Sequence, residues 1–193
     1  MKKRTIEFTN LADQLGWVYY PEFPTEVIPY LEKLDLNKVL NLVQNSNHAI
    51  FKQSGDCKEL VLNLSFLAGK IPVELTVYLH EDLTMSLPHI FIQPENLFHR
   101  IGAYLGMQDI DFSNYPDFSS NYRIKGEPDD TLYKLFTDQV KGYFSYEKGW
   151  IIEMNKHQIL LYKEDKKINT TMISPFILAA QTIVALFKNQ IVL

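Results

Sequence analysis

Between residues 60 and 79 apolar and polar side chains take turns along the chain. Leu60, Leu62, Leu64 and Phe66 alternate with Val61, Asn63 and Ser65. After a break at Gly69 and Lys70, PVELTVYLHE repeats the pattern with Val73, Leu75, Val77 and Leu79. A period of two sends every second side chain to the same face, so both segments are predicted to be half-buried strands. HAIFKQ lies before them, joined through the turn SGDC, and the more fully apolar PHIFIQ lies after them. The connections are too short for parallel crossovers, so these strands are expected to pair antiparallel, as an N-terminal meander.

Outside this run the period lengthens. Residues 3–15 place Ile6, Phe8, Leu11, Ala12 and Leu15 largely on one side and end at Gly16, the pattern of a short amphipathic helix. WVYYPEF is β-prone and closed by Pro21 and Pro24. Residues 25–43 read as a helix capped by Thr25, and Pro94 opens another that Gly106 ends. NYRIKG reads as a strand and PDDTLYKLFTDQVKGYF as one helix. WIIEM and ILLYKE form a C-terminal hairpin turning near NKHQ, and a last helix starts with Ser174 as cap and Pro175 at its first position. The sum is an α+β fold: an antiparallel sheet of roughly seven strands with helices packed on it. Residues 1–193 are expected to form a single domain.

Composition narrows the class. With 46% hydrophobic and 22% charged residues over 193 positions, the chain is globular and long enough to bury a core without staples. A net charge of -4 argues against a dedicated nucleic-acid binder, which needs clustered Lys and Arg. The single cysteine, Cys57, has no internal partner, which suits a reducing compartment and a cytoplasmic location. The basic opening MKKR is not followed by an apolar core, so no secretion signal is expected. The most apolar stretch, residues 173–187, contains Gln181 and Thr182 and reads as a buried helix rather than a transmembrane segment.

Candidate chemistry concentrates in residues 87–126. Asp109 and Asp111, at i and i+2 of an extended segment, point the same way and offer two carboxylates to a divalent cation. An EF-hand would need a glycine at its sixth position and a glutamate at its twelfth, where Asn114 and Ser120 stand. His89 and His99 lie close enough in sequence to join such a site as metal ligands, although no His-x-x-x-His or His-Glu-x-x-His occurs. There is no Gly-x-Ser-x-Gly elbow, no Walker loop and no Gly-x-Gly-x-x-Gly, so no cofactor is implied. The aromatics of this stretch, among them Phe91, Phe112, Tyr115, Phe118 and Tyr122, read as the core of a loop-rich region.

The strand LPHIFIQPE, the element Gly106-x-x-Asp109-Ile110-Asp111-Phe112 and then Phe118-Ser119-x-x-Tyr122, with Gly126, Leu135 and Phe136 beyond, resemble a group of uncharacterised bacterial proteins. Trp150 with its hairpin and the early LADQLGWVYYP fit the same pattern, while LNLSFLAG departs from it. The resemblance implies a shared fold and carries over no catalytic residue. On the residues alone, the chain is expected to be a non-enzymatic module that binds another protein or assembles as a homo-oligomer. The alternative is a small-molecule or metal-dependent enzyme centred on the DIDF loop.

Overall fold

The alternation at 60–79 produces the two longest strands. β3 (Cys57–Ala68) and β4 (Ile71–Asp82) pair antiparallel along their full length, from Cys57↔Asp82 to Ala68↔Ile71. The structure, a computed structural model, describes residues 2–24, 34–35, 40–68, 70–95, 107–163 and 167–190. β2 (Ser46–Ser54) lies along the other side of β3, and β1 (Val18–Tyr20) closes that edge. The expected meander therefore forms up to β4.

The next strand departs from the expectation. β5 (Leu87–Pro94) does not pair with β4. The hairpin of β8 (Trp150–Lys156) and β9 (Gln158–Lys163) is inserted between them, with β9 against β4 and β8 against β5. The physical reason lies in apolar content. β8 and β9 carry large apolar side chains on both faces, and such strands stay buried only with neighbours on either side. β7 (Tyr122–Gly126) flanks β5 on its far side, and β6 (Gln108–Ile110) closes the second edge. The order is β1-β2-β3-β4-β9-β8-β5-β7-β6, a nine-stranded sheet rather than the smaller one expected. β6 had no forerunner in the pattern, because a three-residue strand is too short to show a period.

Two adjacent rows of cross-strand partners divide the core. Ile110, Ile124, Ile92, Ile152, Leu161, Tyr78, Val61 and Ile50 follow one another across the sheet and all face the first core. That face is covered by α1 (Lys2–Leu15) and by helices from the second half of the chain. The next row runs Phe91, Glu153, Leu160, Leu79, Leu60 and Phe51, and its apolar members face a second core with Phe23, Leu34, Leu40 and Leu42. Leu42 belongs to α2 (Leu42–Asn45), the described end of the helix expected over 25–43. The rest of that helix, and the one expected to end at Gly106, lie outside the described residues.

The expected single helix after Pro128 is two. α4 (Asp130–Leu135) is capped by Asp129, whose Oδ1 accepts the Leu132 N–H at 2.7 Å, and α5 (Asp138–Tyr146) by Thr137, which accepts from Val140 N–H. The second cap restarts the helix and lets Phe136 turn into the core between the two. α3 (Pro116–Asn121) precedes them. The last helix, α6 (Thr170–Lys188), begins before the expected Ser174 cap and holds Pro175 inside. The carbonyl that Pro175 leaves without a donor belongs to Thr171, on the exposed side, where water can reach it. α6 is long and apolar enough to cross a membrane by length and composition. One face of it packs in the fold through Ile173, Phe176, Ile177, Ala180, Ile183, Val184 and Phe187, while Met172 and Leu178 are exposed on another.

Residues 107–126 form an anchored return to the sheet. Phe118 is fully buried, with ring centroids 5.6 Å from Phe112 and 5.9 Å from Phe136. Tyr122 donates its hydroxyl hydrogen to Glu147 O at 2.8 Å, and the Tyr122 hydroxyl oxygen accepts the Trp150 N–H at 3.2 Å. Phe118→Ala is expected to cost ~3–5 kcal/mol in urea unfolding, the range for a large core side chain. Asp109→Ala, at an exposed edge, is expected to change stability by no more than ~0.5 kcal/mol in the same assay.

Candidate functional site

Among the described residues, His89 is the one sequence-predicted site residue that acquires acidic partners, and they are not the expected ones. The pairing of β5 with β8 slips between Leu87 and Ile90, and His89 sits in that irregularity. Its Nε2 lies 3.1 Å from Glu153 Oε1 and 3.7 Å from Asp35 Oδ2. Asp109 belongs to edge strand β6, with its side chain 60% exposed and 4.0 Å from Lys125 Nζ. Asp111 is exposed just beyond it, and His99 lies outside the described residues.

Glu153 is the unusual member. It stands in the second row of the sheet between Phe91 and Leu160, with no exposed surface. A buried carboxylate is tolerated only when hydrogen-bonded and compensated. Here Oε1 accepts the backbone N–H of Asp35 at 2.7 Å and faces His89. One ring nitrogen and two carboxylates, from Asp35, His89 and Glu153, lie within 4.8 Å of one another. His89 also lines a cleft of about 430 Å³ with Pro88, Met107, Gln108, Glu127 and Asp129. The sequence hid this cluster because Glu153 falls inside the apolar segment WIIEM and Asp35 inside a predicted helix. The signal available was a lone carboxylate among apolar strand residues.

A second polar cluster lies on the opposite face, under the last turns of α6. Glu59 accepts hydrogen bonds on Oε1 from Tyr78 OH at 2.5 Å and from Gln181 Nε2 at 2.6 Å, and Lys52 Nζ is 3.7 Å from Oε2. Burial and the neighbouring Glu59 carboxylate push the Tyr78 phenol far up, so it stays a donor. Cys57 Sγ lies 4.0 Å from both ring nitrogens of His80. Burial, with Glu59 and Asp82 nearby, pushes the Cys57 thiol up, while burial pulls His80 down. Both shifts favour the neutral thiol and neutral imidazole, the reverse of the thiolate–imidazolium pair that a cysteine nucleophile needs.

Asp82 ends the cluster. Burial opposes its ionisation, yet the Lys188 ammonium and the Thr84 hydroxyl and amide outweigh that and hold its carboxyl at about 2. A depressed carboxyl stabilises the fold above the ordinary aspartate range and loses that contribution as pH falls through the depressed value. Asp82→Asn is therefore expected to cost on the order of 1–2 kcal/mol at neutral pH, after allowing for solvent screening of the part-exposed Lys188. The gap from the parent should close between about pH 4 and about pH 2 in urea unfolding. A gap that stays constant over that interval would contradict the assignment.

No family model matches the chain, and no curated protein matches it. Among solved structures, the mycobacterial trehalose monomycolate transport factor A, TtfA, superposes with a TM-score of 0.67 over 96% of this chain and 93% of that one, at 8% sequence identity. At that identity the likeness is one of fold: the chain shares its α+β architecture, helices packed on a single antiparallel sheet, with a mycobacterial transport factor.

Proposed function

We propose that this chain is a non-enzymatic module that works by binding protein, with a second copy of itself as the partner that can be tested directly. The observation that carries the reading is the outer end of the β3–β4 hairpin. β2 pairs with β3 only as far as Leu64, and β9 pairs with β4 only from Val77. Beyond those points, among the described residues, the two strands pair only with each other and form an outer arm, along which Lys167 and Ile168 meet the Glu74 and Thr76 side chains. Its tip carries Leu67 at 69% and Ile71 at 62% exposure, behind the half-buried cross-strand pair Phe66 and Val73.

Apolar side chains on a projecting hairpin gain nothing in water, and the outer edge of β3 beyond Leu64 offers backbone groups to an added strand. Strand addition between two copies is self-complementary, so it closes as a symmetric dimer. Two features favour a binding role over catalysis. Glu59 and Asp82 are engaged in structural hydrogen bonds, and Cys57 with His80 is held neutral. The role of the protein with the shared fold, a transport factor, is compatible with an accessory module.

Size-exclusion chromatography with light scattering tests this. The mass is expected to rise above that of one chain with increasing concentration. The double variant Leu67→Glu, Ile71→Glu is expected to stay monomeric with an unchanged circular dichroism spectrum. A parent chain that remains monomeric at every concentration, indistinguishable from the variant, overturns self-association through the arm.

A further inference from the structure

We propose that His48 is an acid-sensitive latch: its protonation releases α1 and β1 together from the sheet and opens the β2 edge from Ala49 to Phe51. His48 stands at the junction of these three elements and is 8% exposed. Its ring stacks on Phe8 of α1, with centroids 5.0 Å apart and planes 17° apart. Its Nδ1 lies 2.8 Å from the hydroxyl oxygen of Tyr19 in β1. Tyr19 in turn pairs with Ile50, between Val18↔Phe51 and Tyr20↔Ala49. One imidazole therefore touches both segments that close this end of the sheet.

Charge decides what a proton does there. The Arg4 guanidinium lies over the Phe8 ring, 5.6 Å from its centroid, and its Nε and Nη2 are buried without a hydrogen-bond partner among the described residues. Lys167 adds a second positive charge, with Glu74 bound to its ammonium. Glu7 of α1 is turned to the Thr170 hydroxyl, and Asn63, the partner of His48 on β3, is uncharged. Among the described residues no carboxylate offsets the two cations at His48. Burial, then Arg4, then Lys167 pull the imidazole below the ordinary histidine range. An imidazole kept neutral in the closed form and freed in the open one gains a proton on opening, so acid favours the open form. The stability it contributes is full above the ordinary histidine range and is lost as pH falls through the depressed value. Release can stay local, because β1 is a three-residue strand at the sheet edge and Pro21 and Glu22 just beyond it are exposed. The latch is independent of the β3–β4 arm and its partner.

Hydrogen exchange on the full chain, read by mass spectrometry and corrected for the intrinsic dependence of exchange on pH, tests this. Protection of the amides of residues 8–20 is expected to fall at least about threefold between about pH 7.5 and about pH 5. In His48→Gln, whose amide can still bond Tyr19, that fall should vanish. His80→Gln removes the other buried imidazole that burial pulls down, and should respond as the parent does. Arg4→Met keeps an apolar stem on Phe8 and should shrink the fall, since one cation fewer opposes the proton. Protection that stays flat with pH in the parent overturns the latch. So does a fall undiminished in His48→Gln or, should that variant not fold, in Arg4→Met. Exchange of these amides only at the opening free energy of β8 and β9 also overturns it, because α1 and β1 then do not open by themselves.

Discussion

The structure depends on one insertion: the β8–β9 hairpin between β4 and β5. Without it the sheet is two pieces, β1 to β4 on one side and β5, β7 and β6 on the other. The hairpin joins them through Tyr78↔Leu161 and Ile92↔Ile152, partners in a row of apolar side chains under the helices. Its outer faces also serve both cores, with Ile152, Met154 and Leu161 on one side and Ile151, Leu160 and Tyr162 on the other. A segment contributed late in the chain thus ties together elements formed early, and such non-local pairing is slow to form and strongly cooperative once made.

The same hairpin connects the fold to its candidate chemistry. Glu153 occupies a place in β8 where an apolar residue would pack without cost, and it is the buried carboxylate toward which His89 and Asp35 turn. Glu153 and His89 are held on the paired strands β8 and β5, and the backbone N–H of Asp35 reaches the Glu153 carboxylate. The apolar arm of β3 and β4 lies at a different place, beyond Leu64 and Val77, where among the described residues no other strand pairs with either. One end of the long hairpin is locked among strands, and the other carries the exposed Leu67 and Ile71.

Much of this was legible in the sequence, and the gaps have physical causes. Period-two alternation located β3 and β4, and the caps and stops placed α1, β7 and the closing hairpin correctly in outline. Alternation says which face a side chain takes but not which strand lies beside it, so the neighbour of β5 was misassigned. Thr137 restarted a helix that the apolar period carried straight through, because a cap outweighs a continuous stripe when Phe136 has a core to enter. The DIDF carboxylates did share a direction, but the strand bearing Asp109 is an edge and its residue is exposed. Glu153 was invisible as a site residue because its partners come from separate segments that only the tertiary fold brings together.

Native-state hydrogen exchange tests the central role of the hairpin most directly. The amides of Ile152 and Leu161 are expected to exchange only through global unfolding, with the same free energy as those of Val61 and Tyr78 in the meander and Ile124 beyond β5. A lower free energy for β8 and β9, or separate opening of the β1–β4 and β5–β7 groups at different free energies, would contradict a single sheet unified by the inserted hairpin.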